Sequence, residues 1–244
     1  MDTPPEKSTG RELLEKTVEG TAGMVPFAGG PLGVALALAM GWSYNKRMQQ
    51  WLDDVAVAIT ELQEATEDWP SFEELAQDDV FVDAVLRASQ AAQATHQAEK
   101  LDALRNGVLN SPGRDAPDVE EQARFFRLVD QFTASHLRLL VFLHDPKAAF
   151  TRAGLEMPNV GPFYSRARFI ARHPDFAEKP IAWVQLLAGD LAAASLTAHG
   201  ELHTNVTGDS LWLSATSPLG DRFLNFISAP LELSDRRPPT VDES

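Results

Sequence analysis

The sequence predicts a mostly α-helical protein, with an N-terminal helical bundle built around a long central helix and a C-terminal winged-helix-like domain with a short β-hairpin. Two observations favour this class. Apolar residues recur at helical spacing along most of the chain, and the period changes to that of β-strands in one stretch near residue 210. The composition, 44% hydrophobic and 23% charged, is typical of a folded chain.

The first helices are indicated by caps and breakers. After a tail at residues 1–9, which we expect to be flexible, a helix over 10–23 begins with the capping-box sequence T-G-R-E. Prolines and glycines at 26–31 end it in a turn, and a second helix runs from Pro31 to about Glu67. The second half of that helix carries one apolar stripe, which consists of Met48, Trp51, Leu52, Val55, Ile59 and Leu62.

Two more helices complete the predicted bundle. Ser71 and Glu74 form a second capping box, so a helix over 72–96 is expected to start here, with a break near Asp78. The next helix covers 97–110, and its apolar residues fall on one face.

The chain is predicted to divide at a proline- and glycine-rich stretch. Residues 112–118 form the predicted linker between the helical bundle of 10–111, which contains an apolar hairpin, and the winged-helix-like domain of 119–230. Residues 231–244 are expected to form a second flexible tail.

The C-terminal domain is predicted from helices, a hairpin and a closing helix. Its elements are, in order, a helix capped by Asp118 and Glu121, helices over 133–145, 161–172 and 181–198, a hairpin within 201–216 and a helix over 217–227. The hairpin is indicated by β-formers on both sides of Thr-Gly-Asp-Ser. Helices followed by a hairpin and a helix are the pattern of a winged-helix domain.

The stretch MVPFAGGPLGVALALAMGW, residues 24–42, carries no charge. The turn at 26–31 splits it, and the 13 residues from Leu32 to Tyr44 would span about 20 Å, too short to cross a bilayer alone. Two alternatives stay open, a helix buried within a soluble bundle and a helical hairpin at a membrane surface. The residues predicted to contact membrane or partner are Phe27, Leu32, Leu36, Met40 and Trp42, and those predicted to pack helices closely are Gly33, Ala37 and Gly41.

The charge of the chain disfavours nucleic acid as a partner. The net charge is −14, and residues 1–116 hold 9 basic against 19 acidic side chains. Phosphate neutralisation needs clustered cations, and the helix over 181–198, at the recognition position of a winged helix, has no Arg or Lys. Arg166, Arg168 and Arg172 give at most a weak basic face, so a DNA-binding regulator is the least favoured hypothesis.

No motif indicates an enzyme, a metal site or a cofactor. The chain has no cysteine, which excludes disulfides and thiolate chemistry. In HGELH, residues 199–203, the glutamate is one place late for the zinc motif H-E-x-x-H. The acidic pairs Asp53/Asp54 and Asp78/Asp79 are expected on solvated helix surfaces. We therefore predict a protein that is not an enzyme and that uses no cofactor.

Two stretches resemble a known bacterial family. The segment FVDAVLRASQAAQATHQAEKLDALRNGVLNS, with its E-K-x-x-x-L-R-N core over 99–106, resembles the helical region of the Abi-alpha (abortive infection alpha) family. TSPLGDRFLNFI, 216–227, is similar to the closing helix of related uncharacterised proteins. The resemblance implies a bacterial origin and a link to phage defence, and it implies no catalytic residues.

These observations lead to two principal functional hypotheses. In the first, the chain is a non-enzymatic bacterial defence or stress effector whose apolar hairpin associates with membrane, conditionally on a trigger. In the second, it is a soluble scaffold or regulator that binds a protein partner, or itself, through the helical bundle or the winged-helix-like domain. Both place the protein in the cytoplasm, and the first adds peripheral association with the inner membrane.

Overall fold

The computed structural model describes residues 31–66, 69–112, 116–158, 163–198 and 205–230, and at residues 31–45, 163 and 205 the description covers the backbone alone. The chain forms two compact units, Met1–Lys46 and Arg47–Ser244. The predicted helix over 10–23, the turn at 26–31 and both predicted tails lie outside the described residues.

The described residues confirm the mostly helical class. They form eleven α-helices, a 3-10 turn and one two-stranded antiparallel sheet: α1 (Pro31–Ala65), α2 (Phe72–Gln77), α3 (Asp79–Gln93), α4 (Ala98–Leu109), α5 (Val119–Gln131), α6 (Ala134–His144), α7 (Pro146–Arg152), β1 (Phe163–Ser165), α8 (Arg166–Ile170), α9 (Pro174–Ala177), α10 (Ile181–Ala193), β2 (Asn205–Thr207), the 3-10 turn (Asp209–Trp212) and α11 (Pro218–Ile227).

The long helix α1 has the predicted extent, and its stripe is confirmed with one exception. Trp51, Val55, Ile59 and Leu62 are buried, and the Trp51 indole donates to the Ser89 hydroxyl of α3 at 2.9 Å. Leu52, however, is 45% exposed. It follows Trp51 by one residue, which is 100° around the helix and outside the buried arc. No helix of the described residues is long and apolar enough to cross a membrane.

The predicted caps at Ser71 and Asp118 and the predicted break near Asp78 are confirmed. Ser71 and Glu74 form the reciprocal capping box of α2. Asp78 ends α2 and caps α3, accepting from the Val80 N–H at 2.9 Å, which explains the break.

Asp118 caps α5 by accepting from the Glu121 N–H. The Glu121 side chain leaves the cap and pairs instead with Arg222 of α11 at 2.8 Å.

Helices on both sides of 112–118 pack into one hydrophobic core. α4 packs against α5 and α11, and α3 against α5. The Asn106 amide donates to the Ile227 carbonyl at 3.0 Å, and the Asn110 amide donates to the carbonyls of Phe226 and Ser228 at 2.9 and 2.8 Å. The predicted linker therefore connects helices within the compact unit Arg47–Ser244. Its proline and glycine suggested a domain boundary, but the same residues are also common in turns within a domain.

The predicted hairpin within 201–216 is wrong. β2 pairs antiparallel with β1, which lies some 40 residues earlier, and the expected second arm, 211–216, begins within the 3-10 turn and forms no strand. Adjacent side chains of a strand point to opposite faces. Here two adjacent side chains both face the core: Leu211 is 1% exposed, and the ring of Trp212 lies 4.8 Å from that of Phe169. A tight turn brings both side chains to the core, and a strand could not.

Two predicted helices have different bounds. In the described part of the expected helix over 161–172, residues 163–165 form β1 and only 166–170 are helical. α10 stops at Ala193, short of the expected 198, because Ser195 takes a left-handed conformation with φ of 64°. The Leu196 N–H then closes the helix end on the Leu191 carbonyl at 2.9 Å.

Candidate functional site

A groove of about 540 Å³ lies between α4, α6, α7 and the C-terminal end of α11. Its apolar lining comes from all four helices and consists of Ala103, Leu137, Val141, Phe142, Ala149, Ala153, Leu224 and Ile227. Val141 of α6 is 39% exposed, although both of its chain neighbours are buried. The volume is within the range of ligand-binding clefts in proteins, and the lining is mostly apolar with polar groups at the edge.

Charged side chains line the rim of the groove. Arg138 of α6 contacts Glu99 of α4 at 2.6 Å, and Arg105 contacts Asp102 at 3.0 Å. A hydrogen bond to its own backbone N–H and one from Arg138 lower the pKa of the Glu99 carboxyl. Arg152 and Asp175 also line the groove. Its lining therefore holds three carboxylates and two guanidinium groups.

α4 supplies the acidic wall and carries the E-K-x-x-x-L-R-N segment. Glu99, Asp102 and Asn106 follow one another at helical spacing and line the groove. The opposite face is structural. Leu104 is fully buried, and the Lys100 ammonium donates to the Asp130 carbonyl of α5 at 2.7 Å. Burial lowers the pKa of Lys100. The segment thus combines a core face with a groove face.

His173 stiffens the opposite wall. Its ring is buried beside Phe142 and Phe150, at 5.5 and 5.7 Å between ring centroids. Nδ1 accepts the Asp175 N–H at 3.4 Å, which leaves Nε2 to donate to the Ala149 carbonyl at 3.3 Å. Both ring nitrogens are therefore engaged with backbone, and the imidazole serves as a fixed part of the wall.

The described residues that line this groove include none of the eight residues selected from the sequence. Phe27 lies outside the described residues, and the other seven lie in the first half of α1, where the backbone alone is described: Leu32, Gly33, Leu36, Ala37, Met40, Gly41 and Trp42. Their roles in membrane contact, partner contact and helix packing stay predictions.

The three arginines of the expected basic face have different environments. Arg166 is 7% exposed, its guanidinium lies 3.5 Å from the Ser210 carbonyl, and burial lowers its pKa. Arg172 donates to the Tyr164 hydroxyl at 3.1 Å, with its guanidinium carbon 5.4 Å from the centre of that ring. Arg168 is exposed. A buried guanidinium cannot reach phosphate, so these three side chains do not form a common basic surface.

The remaining polar clusters have structural partners. Nδ1 of His144 lies 3.0 Å from Asp221, whose carboxylate also accepts from the Thr216 hydroxyl at 2.5 Å, and this ties the end of α6 to α11. Within the described ranges, no three His, Asp or Glu side chains are placed to hold a metal ion. The HGELH segment lies outside those ranges.

Comparison with known proteins adds no relative. No family model, no curated protein and no solved structure matches the chain at a significant level.

The groove was not predicted, and a signal for it was present. In TASHLRLLVFLHD every residue from Leu139 to Leu143 is apolar, so this part of α6 has no polar face. Such a helix is either covered on all sides or leaves apolar surface for a ligand. The sequence could not decide between these, because the covering of Val141 depends on how far α4 and α7 stand apart.

Proposed function

We propose that this chain is a binding protein whose groove accepts an amphipathic helix from a protein partner. The observation that carries the proposal is the exposed apolar floor at Val141, walled by helices on both sides. An apolar floor rimmed by charges is the common receptor for a helix that lays its apolar face into a groove.

The net charge of the chain, more than the rim of the groove, favours a basic partner segment. In the rim, Glu99 is paired with Arg138 and Asp102 with Arg105, which leaves Asp175 and Arg152 to balance one another. The whole chain carries a net charge of −14, which attracts cations at longer range. The occupant we propose therefore presents apolar residues at i, i+3/i+4 and i+7, flanked by Lys or Arg.

The direct test uses two labelled amphipathic peptides of about 14 residues, about four helical turns. Both carry the same leucine face, and their polar faces are either lysine or glutamate. We expect the lysine peptide to bind about tenfold more tightly in fluorescence anisotropy, a difference of about 1.4 kcal/mol. Equal affinity of both peptides, or no binding of either, would contradict the proposal.

The matched variants are Val141→Arg and Val57→Arg, which replace exposed helical valines by the same residue. Val141 is 39% exposed in the groove, and Val57 is 57% exposed on α1. Val141→Arg adds a cation and bulk to the floor, so we expect at least about tenfold weaker binding of the lysine peptide. Val57→Arg should leave the affinity unchanged, and thermal unfolding should show that both variants are folded.

A second candidate function is membrane association in a bacterial defence response. It is favoured by α1, which starts at Pro31 and has no charged residue before Lys46. The resemblance of residues 99–106 to the Abi-alpha family supports the defence context. In this proposal the first half of α1 lies in the interface of the inner membrane.

Leu36→Glu tests this second candidate. A charge at membrane depth costs about 2.5–3.5 kcal/mol. We therefore expect the wild-type chain, or an activated form, to release dye from liposomes and the variant to release none. Circular dichroism of the variant supplies the control. If the variant is folded and leaks as the wild type does, Leu36 does not contact lipid. If it unfolds in solution, Leu36 is buried in protein, as the scaffold hypothesis requires.

A further inference from the structure

Helix α10 is apolar on the face that it turns to solvent. Val184, Leu187, Ala188 and Leu191 bury one side in the core. The opposite side is exposed, and it carries Ala182, Leu186, Gly189 and Ala193. Leu186 is 52% exposed, and the neighbouring Ile181 and Trp183 are 42% and 40% exposed. A helix with solvent on one side normally has a polar face there.

The exposed residues follow the spacing of a helix–helix contact. Ala182, Leu186, Gly189 and Ala193 are separated by four, three and four residues, which is the pattern of alternating a and d positions in a coiled coil. We name these four residues the α10 stripe. By helical geometry its centre lies about 180° from the centre of the buried face, so a second helix could contact the stripe without disturbing the core.

Gly189 has no packing role among the described residues. A Cβ atom built on it meets no atom within 4 Å, and its backbone is helical without a positive φ. Glycine is the least favourable helix residue after proline, and nothing in the described structure requires it here. A glycine on an exposed helix face does allow another backbone to approach closely.

We propose that the α10 stripe is a self-association surface, which a second copy of this chain covers in antiparallel orientation. An antiparallel pair places a positions beside d positions of the partner. Leu186 then meets Gly189 of the other copy, and Ala182 meets Ala193. The two-fold axis repeats each layer, so every leucine has a glycine opposite it. The α10 stripe therefore carries both the large and the small residue of each contact. A two-fold interface requires this, because both copies use the same surface.

The charges near α10 agree with this orientation. No charged residue occurs from Ile181 to Gly189, and Lys179 precedes the helix while Asp190 lies in its last turn. In antiparallel order Lys179 lies near the C-terminal end of the partner helix, where a cation is favourable. Trp183 lies on the same flank as Asp190 of the other copy. One carboxylate oxygen of Asp190 contacts His136 at 3.2 Å, and the other, which has no hydrogen bond among the described residues, can accept the indole N–H.

The expected dimer is weak and depends on concentration. A 13-residue helix is only about 20 Å long, so it buries less than the roughly 800 Å² per partner of a standard stable interface. The proposal is independent of the groove between α4 and α7, and failure of either leaves the other intact.

Cysteine cross-linking of the full chain tests the pairing, because the natural sequence has no cysteine. We expect a mixture of Ala182→Cys and Ala193→Cys chains to form a mixed disulfide dimer under mild oxidation. Each variant alone should not, since like positions are then 11 residues, about 16 Å, apart along the axis, well beyond the 7 Å that a disulfide spans. Efficient cross-linking of Ala182→Cys alone, or none in the mixture, would overturn the antiparallel dimer.

Sedimentation equilibrium provides the second measurement. We expect reversible dimerisation of the wild type and at least a tenfold weaker constant for Leu186→Glu, which should also abolish the mixed disulfide. Because Leu186 is exposed, this variant should keep the wild-type circular dichroism spectrum. If the wild-type chain stays monomeric at several hundred micromolar, self-association is excluded. Another protein or a lipid surface would then be the occupant of the α10 stripe.

Discussion

Replacing Gly220 by alanine is expected to destabilise the Arg47–Ser244 unit by about 3 kcal/mol. Gly220 lies in the first turn of α11, where the helix crosses the backbone of Leu196. A Cβ atom at this position would be 2.0 Å from the Leu196 carbonyl oxygen and 3.0 Å from its carbon. That oxygen also accepts the Ser217 N–H at 2.9 Å. A shift of either segment to relieve the clash would therefore break the hydrogen bond that holds the start of α11 in place.

The matched control is Gly189→Ala, a second glycine-to-alanine change in a helix. The built Cβ atom at Gly189 meets nothing within 4 Å, so the variant should gain up to about 1 kcal/mol from helix propensity. Urea unfolding at low micromolar concentration, where self-association is negligible, measures both. Opposite signs are expected. A Gly220→Ala chain as stable as the wild type would mean that α11 does not lie this close to Leu196.

Local signals in the sequence were sufficient for most helices of the described part. The Ser71 capping box, the Asp78 break and the Asp118 cap depend on side chains within three residues of the helix start, so each is visible in the sequence. The extent of α1 follows equally from Pro31 and from the apolar spacing of its second half. The boundaries of these helices are set locally, although their stability comes from packing.

The elements that were predicted wrongly depend on contacts between segments far apart in the sequence. The partner of β2 was predicted wrongly because β1, with which it pairs, lies about 40 residues earlier. Residues 211–216 are rich in β-formers, yet Leu211 is buried and the adjacent Trp212 packs against Phe169, which favours a 3-10 turn. The stretch 112–118 has the composition of a linker, and only the packing of α4 on α11 shows that it joins parts of one core.

Part of the candidate site could likewise be predicted from the sequence, and part could not. The polar face of α4 could be found from the spacing of Glu99, Asp102 and Asn106, because these residues share one helix. The groove as a whole could not, since its walls come from four helices and its volume depends on their separation. The apolar face of α10 was visible as a helix almost without charge, but whether that face is buried or exposed is a tertiary property.

Phe226→Ala is the variant expected to show that one core spans the predicted boundary. Phe226 of α11 is 2% exposed, and its ring lies 5.4 and 5.2 Å from those of Phe125 and Phe126 of α5. Removing a buried phenyl ring costs about 3–5 kcal/mol, through lost burial and the cavity left behind. The matched control is Phe72→Ala, because Phe72 is 63% exposed and its loss should stay within about 0.5 kcal/mol.

Hydrogen exchange shows which helices this loss reaches. The Asn106 and Asn110 amides join α4 to the end of α11, and α3 packs on both α4 and α5. Loss of Phe226 should therefore reduce protection in α3 and α4 by the same free energy as in α5 and α11, with a single unfolding transition. If α3 and α4 kept wild-type protection while α5 and α11 lost theirs, 112–118 would separate two folding units. The shared core requires the first outcome, because the rings of Phe126 and Phe226 lie against Gly107 of α4, a helix that precedes the predicted linker.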